Sequence, residues 1–148
     1  MPENVEEKKG KKGEDAGPVI MNGMFVFPNG DKYEGEYMQQ DGSIIRTGQG
    51  RHVTTDGSVY EGEWSEDKMS GQGMLTHHSG AKYTGEFVNN QFQGRGVYTW
   101  PNGSSYEGDF VENKLEGTGN FTDTDQQIWT GQFRYKAAPG LHFQLRLE

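Results

Sequence analysis

The sequence predicts an all-β fold, an array of consecutive β-hairpin repeats, and three observations predict it. First, the frame aromatic-x-Gly-acid-aromatic returns as Tyr33-Glu34-Gly35-Glu36-Tyr37, at Tyr60 to Trp64, at Tyr83 to Phe87 and at Tyr106 to Phe110. The variant Trp129-Thr130-Gly131-Gln132-Phe133 closes the series. Second, the step is 23 residues from Tyr60 to Tyr83 to Tyr106 to Trp129, and only the step from Tyr33 to Tyr60 is longer, at 27. Third, 18 of the 23 glycines are locked in phase with these aromatics, which composition alone does not explain. A fixed period of this length marks a repeat array, in which each unit packs on its neighbours and the whole presents a surface.

Taken in order, residues 1–18 are polar and charged, with Gly10, Gly13, Gly17 and Pro18 interrupting any pattern, and read as a disordered tail. The basic run at 8–12 is flanked by acids, and the tail nets −1 (four Lys against five acids), so a solvated tail outweighs a targeting signal. Residues 19–136 form the array, a half-repeat plus about five units. The half-repeat, Gly23-Met24-Phe25-Val26-Phe27-Pro28-Asn29-Gly30, leads into Tyr33. Pro28-Asn29-Gly30, Asp56-Gly57, Ser79-Gly80 and Pro101-Asn102-Gly103 are hairpin turns between segments rich in Tyr, Phe, Trp, Val and Thr. No segment carries a helical apolar stripe.

An odd-length turn at Asn102-Gly103 sets Trp100 against Tyr106, Tyr98 against Gly108 and Gly96 against Phe110. That register gives one face of aromatics and glycines and one acidic face, with glycine filling in opposite a ring. Residues 38–47 number ten where later units have six, which reads as a loop insertion at an exposed edge. Gln126 replaces the turn glycine in the last unit and predicts a looser turn. Residues 137–148 hold Leu141, Phe143, Leu145 and Leu147 in strict alternation, the pattern of a half-buried strand that caps the open end of the sheet.

Composition alone points the other way: Leu, Ile, Val and Phe are 25 of 148 residues and the net charge is −8, values typical of disorder. The 18 aromatics supply the burial instead. With no cysteine there is no disulfide framework or thiolate metal site, and a reducing compartment is acceptable. The charged start is unlike a signal peptide and no apolar run is long enough for a helical membrane span, so the expectation is an intracellular, cytoplasmic protein. The acidity disfavours nucleic acid, and it disfavours direct binding of anionic lipid.

These elements resemble the MORN repeat (membrane occupation and recognition nexus): Tyr-x-Gly-Glu-Trp/Phe, then Gly-x-Gly, then Asp/Asn-Gly. Tyr60-Glu61-Gly62-Glu63-Trp64 through Gly71-Gln72-Gly73 matches nearly letter for letter, and the resemblance covers about residues 20–135. The ending, from Trp129 through Ala137-Ala138-Pro139, is similar to the small testis-expressed members. The resemblance implies an elongated, twisted, single-layer antiparallel sheet of consecutive hairpins acting as an adaptor or scaffold. It also implies placement in cilium or flagellum, axoneme, acrosome and other sperm structures, or membrane-associated assemblies. Larger members carry kinase or methyltransferase domains, for which the residues outside the repeats are too few.

Candidate chemistry is sparse. Glu34/Glu36, Glu61/Glu63 and Glu107/Asp109 are carboxylate pairs at i, i+2, hence on one face and about 6.5–7 Å apart. Catalytic carboxylates stand at comparable spacing, but pairs repeated in nearly every unit describe a solvated face rather than one active site. His77-His78, His52 and His142 have no partners at ligand spacing and read as exposed histidines. The expectation is therefore no enzyme, no metal and no cofactor. The aromatic column is the candidate site. A single layer leaves that face uncovered, so Tyr37, Tyr60, Trp64, Tyr83, Phe87, Tyr98, Trp100, Tyr106 and Phe110 are expected to line a groove. Glu36, Glu63, Glu86 and Asp109 are its expected acidic flank, and a helical or extended segment of a protein partner its occupant. Peripheral phospholipid binding and self-association through the sheet edges are the competing readings.

Overall fold

The computed structural model describes residues 19–134, so the tail at 1–18 and the expected capping strand at 137–148 lie outside the described residues. Ten strands follow in chain order: β1 (Met21–Val26), β2 (Lys32–Gln40), β3 (Ser43–Val53), β4 (Val59–Ser65), β5 (Lys68–Thr76), β6 (Lys82–Val88), β7 (Gln91–Thr99), β8 (Ser105–Val111), β9 (Lys114–Thr122) and β10 (Ile128–Phe133). Their order in the sheet is their order in sequence, every pairing is antiparallel, and the sheet is open. No helix occurs among the described residues.

Two kinds of turn alternate. At one end of the sheet a three-residue loop follows β7: Gly103 N donates to Trp100 O (2.9 Å) and Trp100 N to Ser104 O (2.8 Å). Pro101 and Asn102 form the turn, and Gly103 at φ +94° is the left-handed residue that completes it. The odd turn length is as expected, yet the strands pair two residues nearer the loop: Tyr98 faces Tyr106, Gly96 faces Gly108 and Gly94 faces Phe110. Because the offset is two, every side chain keeps its expected face. In the last unit Gln126 takes φ 67° and its turn keeps both bonds (Gln126 N to Asp123 O and Asp123 N to Gln127 O, each 2.9 Å), so it is no looser than the others.

At the other end are two-residue turns with both central residues left-handed: Asp41-Gly42, Glu66-Asp67, Asn89-Asn90 and Glu112-Asn113. This is the type I′ geometry, whose twist matches that of the strands. The four residues inserted in the first unit form no loop. They add two cross-strand pairs, Gln39 with Ile44 and Gln40 with Ser43, to the β2–β3 hairpin. The second residue of each later turn clips onto the preceding hairpin. Asn90 N donates to Met69 O (3.0 Å) while its side-chain oxygen accepts from Met69 N (2.8 Å), and Asn113 does the same to Phe92 at 3.1 and 2.8 Å. Neighbouring units are thus joined by ladder bonds and by these clips.

The expected open aromatic face is mostly closed. Tyr83 lies down along the sheet, its ring over Gly85 and Gly96 and its hydroxyl donating to Glu86 O at 2.8 Å. A Cβ on Gly96 would overlap that ring. Tyr33, Tyr60 and Tyr106 repeat the arrangement over Gly50, Gly73 and Gly119. Glycine therefore makes room for a ring as expected, but on the diagonal rather than directly opposite. The second aromatic of each unit stands edge-on between two tyrosines: Phe87 is 5.0 Å from Tyr60 and 5.1 Å from Tyr83, and Phe110 is 5.0 Å from Tyr83 and 5.4 Å from Tyr106. The row continues at both ends, through Trp64 to Tyr33 and through Phe133 to Tyr106. Edge-to-face contact at these distances is the preferred geometry for aromatic pairs. Tyr83, Phe92, Tyr106 and Leu115 are fully buried, so one layer covers itself.

Two outcomes follow for stability. Gly96→Ala is expected to cost about 2–4 kcal/mol in urea melting, since the added carbon meets a ring packed on both sides. Gly131→Ala, with nothing within 4 Å of the added carbon, should be neutral or stabilising by about 0.5–1 kcal/mol. Burial also pushes the Tyr33 hydroxyl up to about 12 and raises Tyr60, Tyr83, Tyr98 and Tyr106 as well. A phenol that ionises later in the folded state than in the unfolded one contributes fully below the ordinary value of about 10 and is lost above it. Melting temperature should therefore hold to about pH 10 and drop steeply toward 12. Absorbance at the phenolate band would rise with unfolding rather than ahead of it.

Candidate functional site

The lattice columns show where the face stays open. Opposite Tyr37, Trp64, Phe87 and Phe110 stand Arg46, Met69, Phe92 and Leu115. Opposite Tyr60, Tyr83 and Tyr106 on their following strands stand Leu75, Tyr98 and Phe121, with His52 in the same column facing Tyr33. Phe92, Tyr98 and Trp100 are large. Their counterparts one unit earlier, Met69, Leu75 and His77, are smaller, and the space they leave is a cavity of about 340 Å³. Its walls also include Arg46, His52, Tyr60, Trp64 and Asn90.

A polar network holds the N-terminal wall. Arg46 Nε donates to Asp67 Oδ1 (2.7 Å), Nη2 to Asp67 O (3.1 Å) and Nη1 to His52 Nδ1 (3.0 Å). Guanidinium only donates, so His52 Nδ1 accepts and its Nε2–H donates to Asp31 Oδ2 at 3.0 Å. The Arg46 guanidinium also lies 4.4 Å from the Trp64 ring, a cation–π contact. The hydrogen bond from His52 holds the Asp31 carboxyl below the usual range against the opposing effect of burial. Burial pushes Asp67 up, but the bonds from Arg46 outweigh it and the carboxyl settles below its ordinary value.

This overturns the reading of His52 as isolated and exposed: its side chain is half-buried between two partners. His77 and His78 are turn residues, His77 Nδ1 against Ser79 Oγ (2.9 Å) and His78 Nε2 3.5 Å from Asp56. The lengthened segment 38–47 hides the lattice place of Arg46, although counting two residues back from each Gly-x-Gly puts it in the column of Met69, Phe92 and Leu115.

Of the expected groove residues, only Tyr60 and Trp64 line the cavity. Tyr83, Phe87, Tyr98, Tyr106 and Phe110 are buried within the row of rings, and a partner cannot reach them without displacing it. Tyr37 and Trp100 are half-buried outside the cavity, Tyr37 edge-on to Phe25 at 4.7 Å. Among the described residues the expected groove is thus shortened to the cavity beside Tyr60 and Trp64, because the tyrosines lie flat over glycine. The acidic set faces the other side of the sheet. Glu36 and Glu63 accept from Gln49 N (2.7 Å) and Gln72 N (3.0 Å), Glu86 packs over Gly94 at φ +75°, and Asp109 pairs with Arg95 at 3.1 Å. At these points each strand bulges around the acidic side chain, and the register shifts there in four hairpins.

The sequence model of the MORN repeat matches residues 60–82, 83–105 and 106–128. Residues 60–128 are three consecutive MORN repeats. Each match runs from one seating tyrosine to the residue before the next aromatic, so the sequence unit of the MORN repeat is one hairpin plus its outgoing turn. Arg46 and His52 precede the matched repeats, and the polar wall stands where the chain departs from the MORN lattice. The chain is also similar to phosphatidylinositol 4-phosphate 5-kinase 1 of Oryza sativa subsp. japonica, 44% identical over 46 residues, which is 31% of this chain and 5% of the kinase. A match of that extent covers repeat sequence and shows no catalytic domain. Among the described residues no helix is long and apolar enough to cross a membrane, and no cluster of three or more metal-ligating side chains occurs.

Asp67 occupies the clip position that Asn90 and Asn113 fill elsewhere, and its charge is matched to Arg46. Arg46→Met alone should cost about 1–3 kcal/mol, leaving a half-buried carboxylate without its cation. Adding Asp67→Asn recreates the Met69–Asn90 arrangement and should recover most of that loss. A double-mutant cycle by thermal or urea melting reads the coupling; additive effects would mean the pair is not coupled.

Proposed function

We propose that this chain is a non-catalytic adaptor whose cavity between Arg46 and Asn90 receives a short helical or extended segment of a protein partner. The cavity itself carries this reading. It is an opening of about 340 Å³ beside a row of buried rings, and it combines apolar lining with a few fixed polar groups, as recognition pockets do. Trp64, Met69 and Leu75 offer contact for an apolar anchor, and Asn90, His77 and Ser58 add polar groups to the same lining. Family resemblance is what supports placing such an adaptor in ciliary, flagellar or sperm structures.

A second reading is attachment to a phospholipid surface, supported by the repeat sequence shared with a kinase whose name specifies a phosphoinositide. The net charge of −8 opposes it.

Panning a displayed peptide library against the purified chain tests the first reading. Selected peptides should lose about tenfold or more in affinity for Leu75→Ala, a partly exposed wall position, with binding read well below the variant's own melting temperature. Peptides that bind the variant equally well would remove the cavity as the site. Sedimentation with vesicles containing phosphatidylinositol 4-phosphate, at low and physiological salt, tests the second; binding there without peptide selection would favour the membrane.

A further inference from the structure

The seating of rings on glycine leaves one mismatch at each edge of the sheet. Tyr33, Tyr60, Tyr83 and Tyr106 each cover a glycine on the following strand: Gly50, Gly73, Gly96 and Gly119. Gly23 in β1 is the same lattice position, but among the described residues no strand precedes β1 to supply a ring; the edges of Tyr37 and Phe25, 3.1 and 3.3 Å from a Cβ placed there, lean over it instead. Trp129 in β10 is the ring of the same lattice column, but among the described residues no strand follows to supply a glycine. Its indole turns back to Asp123 (Nε1 to Oδ2, 3.1 Å), and nothing lies within 4 Å of the space above Gly131. One edge thus holds a glycine that no ring from a preceding strand covers, and the other a ring with no glycine on a following strand.

Within the strands, the four most exposed large apolar side chains fall on the same two. Met24 and Val26 on β1 are 75% and 71% exposed, and Ile128 and Trp129 on β10 are 66% and 59% exposed. An open edge strand with apolar side chains is a template for another strand.

We propose that copies of this chain join head to tail, β10 of one pairing antiparallel with β1 of the next. The β8–β9 pairing fixes the register: Tyr106 faces Phe121 and Gly108 faces Gly119. Transferred to the edges, Trp129 faces Phe25, Thr130 faces Met24, Gly131 faces Gly23 and Ile128 faces Val26 of the next copy. The strand number permits it. With ten strands alternating in direction, a β1 added after β10 continues the alternation and keeps both aromatic faces on one side. Trp129 then covers Gly23 of the next copy as Tyr106 covers Gly119. Such a contact joins unlike surfaces and does not close on itself, so it yields open chains rather than a dimer. It stands independently of the cavity and its occupant.

The chain has no cysteine, so introduced thiols report on the pairing without background. Met24→Cys and Thr130→Cys alter exposed side chains, and directly opposed residues in a sheet lie within disulfide reach. Oxidising an equimolar mixture of the two single variants should give a mixed dimer, each alone should stay monomeric, and the double variant should give a ladder of higher species. Trp129→Ala in the same background should cut the mixed product by about tenfold. A crosslink confined to one single variant would show that an edge pairs with its own kind and overturn the proposal. So would a mixture that stays monomeric, as expected if the same chain covers β10 with the residues after Arg134.

Discussion

A sheet with nothing stacked on it must bury its apolar surface with its own side chains, and here that requirement is met by laying Tyr33, Tyr60, Tyr83 and Tyr106 flat over glycines on two adjacent strands. The ring needs the absence of a Cβ on both, and the hydroxyl needs a carbonyl at the right distance along its own strand. Both are supplied by Tyr-x-Gly-Glu followed by Gly-x-Gly. Once the tyrosine is down, the next aromatic can stand edge-on between two of them, and the row becomes continuous from Tyr33 to Phe133. The bulge, with its carboxylate over Gly48, Gly71, Gly94 or Gly117, keeps the strands from sliding. The period of the sequence is the period of this contact.

Much of the fold was legible because those contacts need particular residue types. Glycine and aromatic phase gave the hairpins, the turn positions and the division into two faces. The register escaped by two residues because face pattern alone does not separate a three-residue loop from a five-residue one. The type I′ turns at Glu66-Asp67 and Glu112-Asn113 gave little signal, since glutamate seldom takes a left-handed conformation. The groove was overextended for a different reason. Sequence names a tyrosine but not its rotamer, and whether the ring stands up or lies down decides whether the face is open.

The polar wall shows the opposite case, a site written in the sequence as a departure from pattern. Arg46 and His52 occupy columns that are apolar in the later units, and the charge at Asp67 replaces an amide. None of these residues is unusual alone. Their position against the lattice makes them so: Arg46 and His52 lie before the three matched MORN repeats, and Asp67 lies in the first of them. In a repeat protein the shared contacts hold the scaffold, and individuality resides in columns where one unit breaks from the rest.

The first hairpin also shows how such an array can change in length. Its four additional residues divide as two on β2 and two on β3, and the turn Asp41-Gly42 returns to the same side of the sheet as the other I′ turns. Two residues per strand are one full pleat repeat. An insertion of a single pair would leave the ring contacts intact but turn the hairpin tip over, and an odd insertion would send one strand's aromatics to the carboxylate face. Lineages of such proteins would therefore be expected to differ by whole hairpins or by steps of four residues at the turns. Intermediate lengths would be removed by selection.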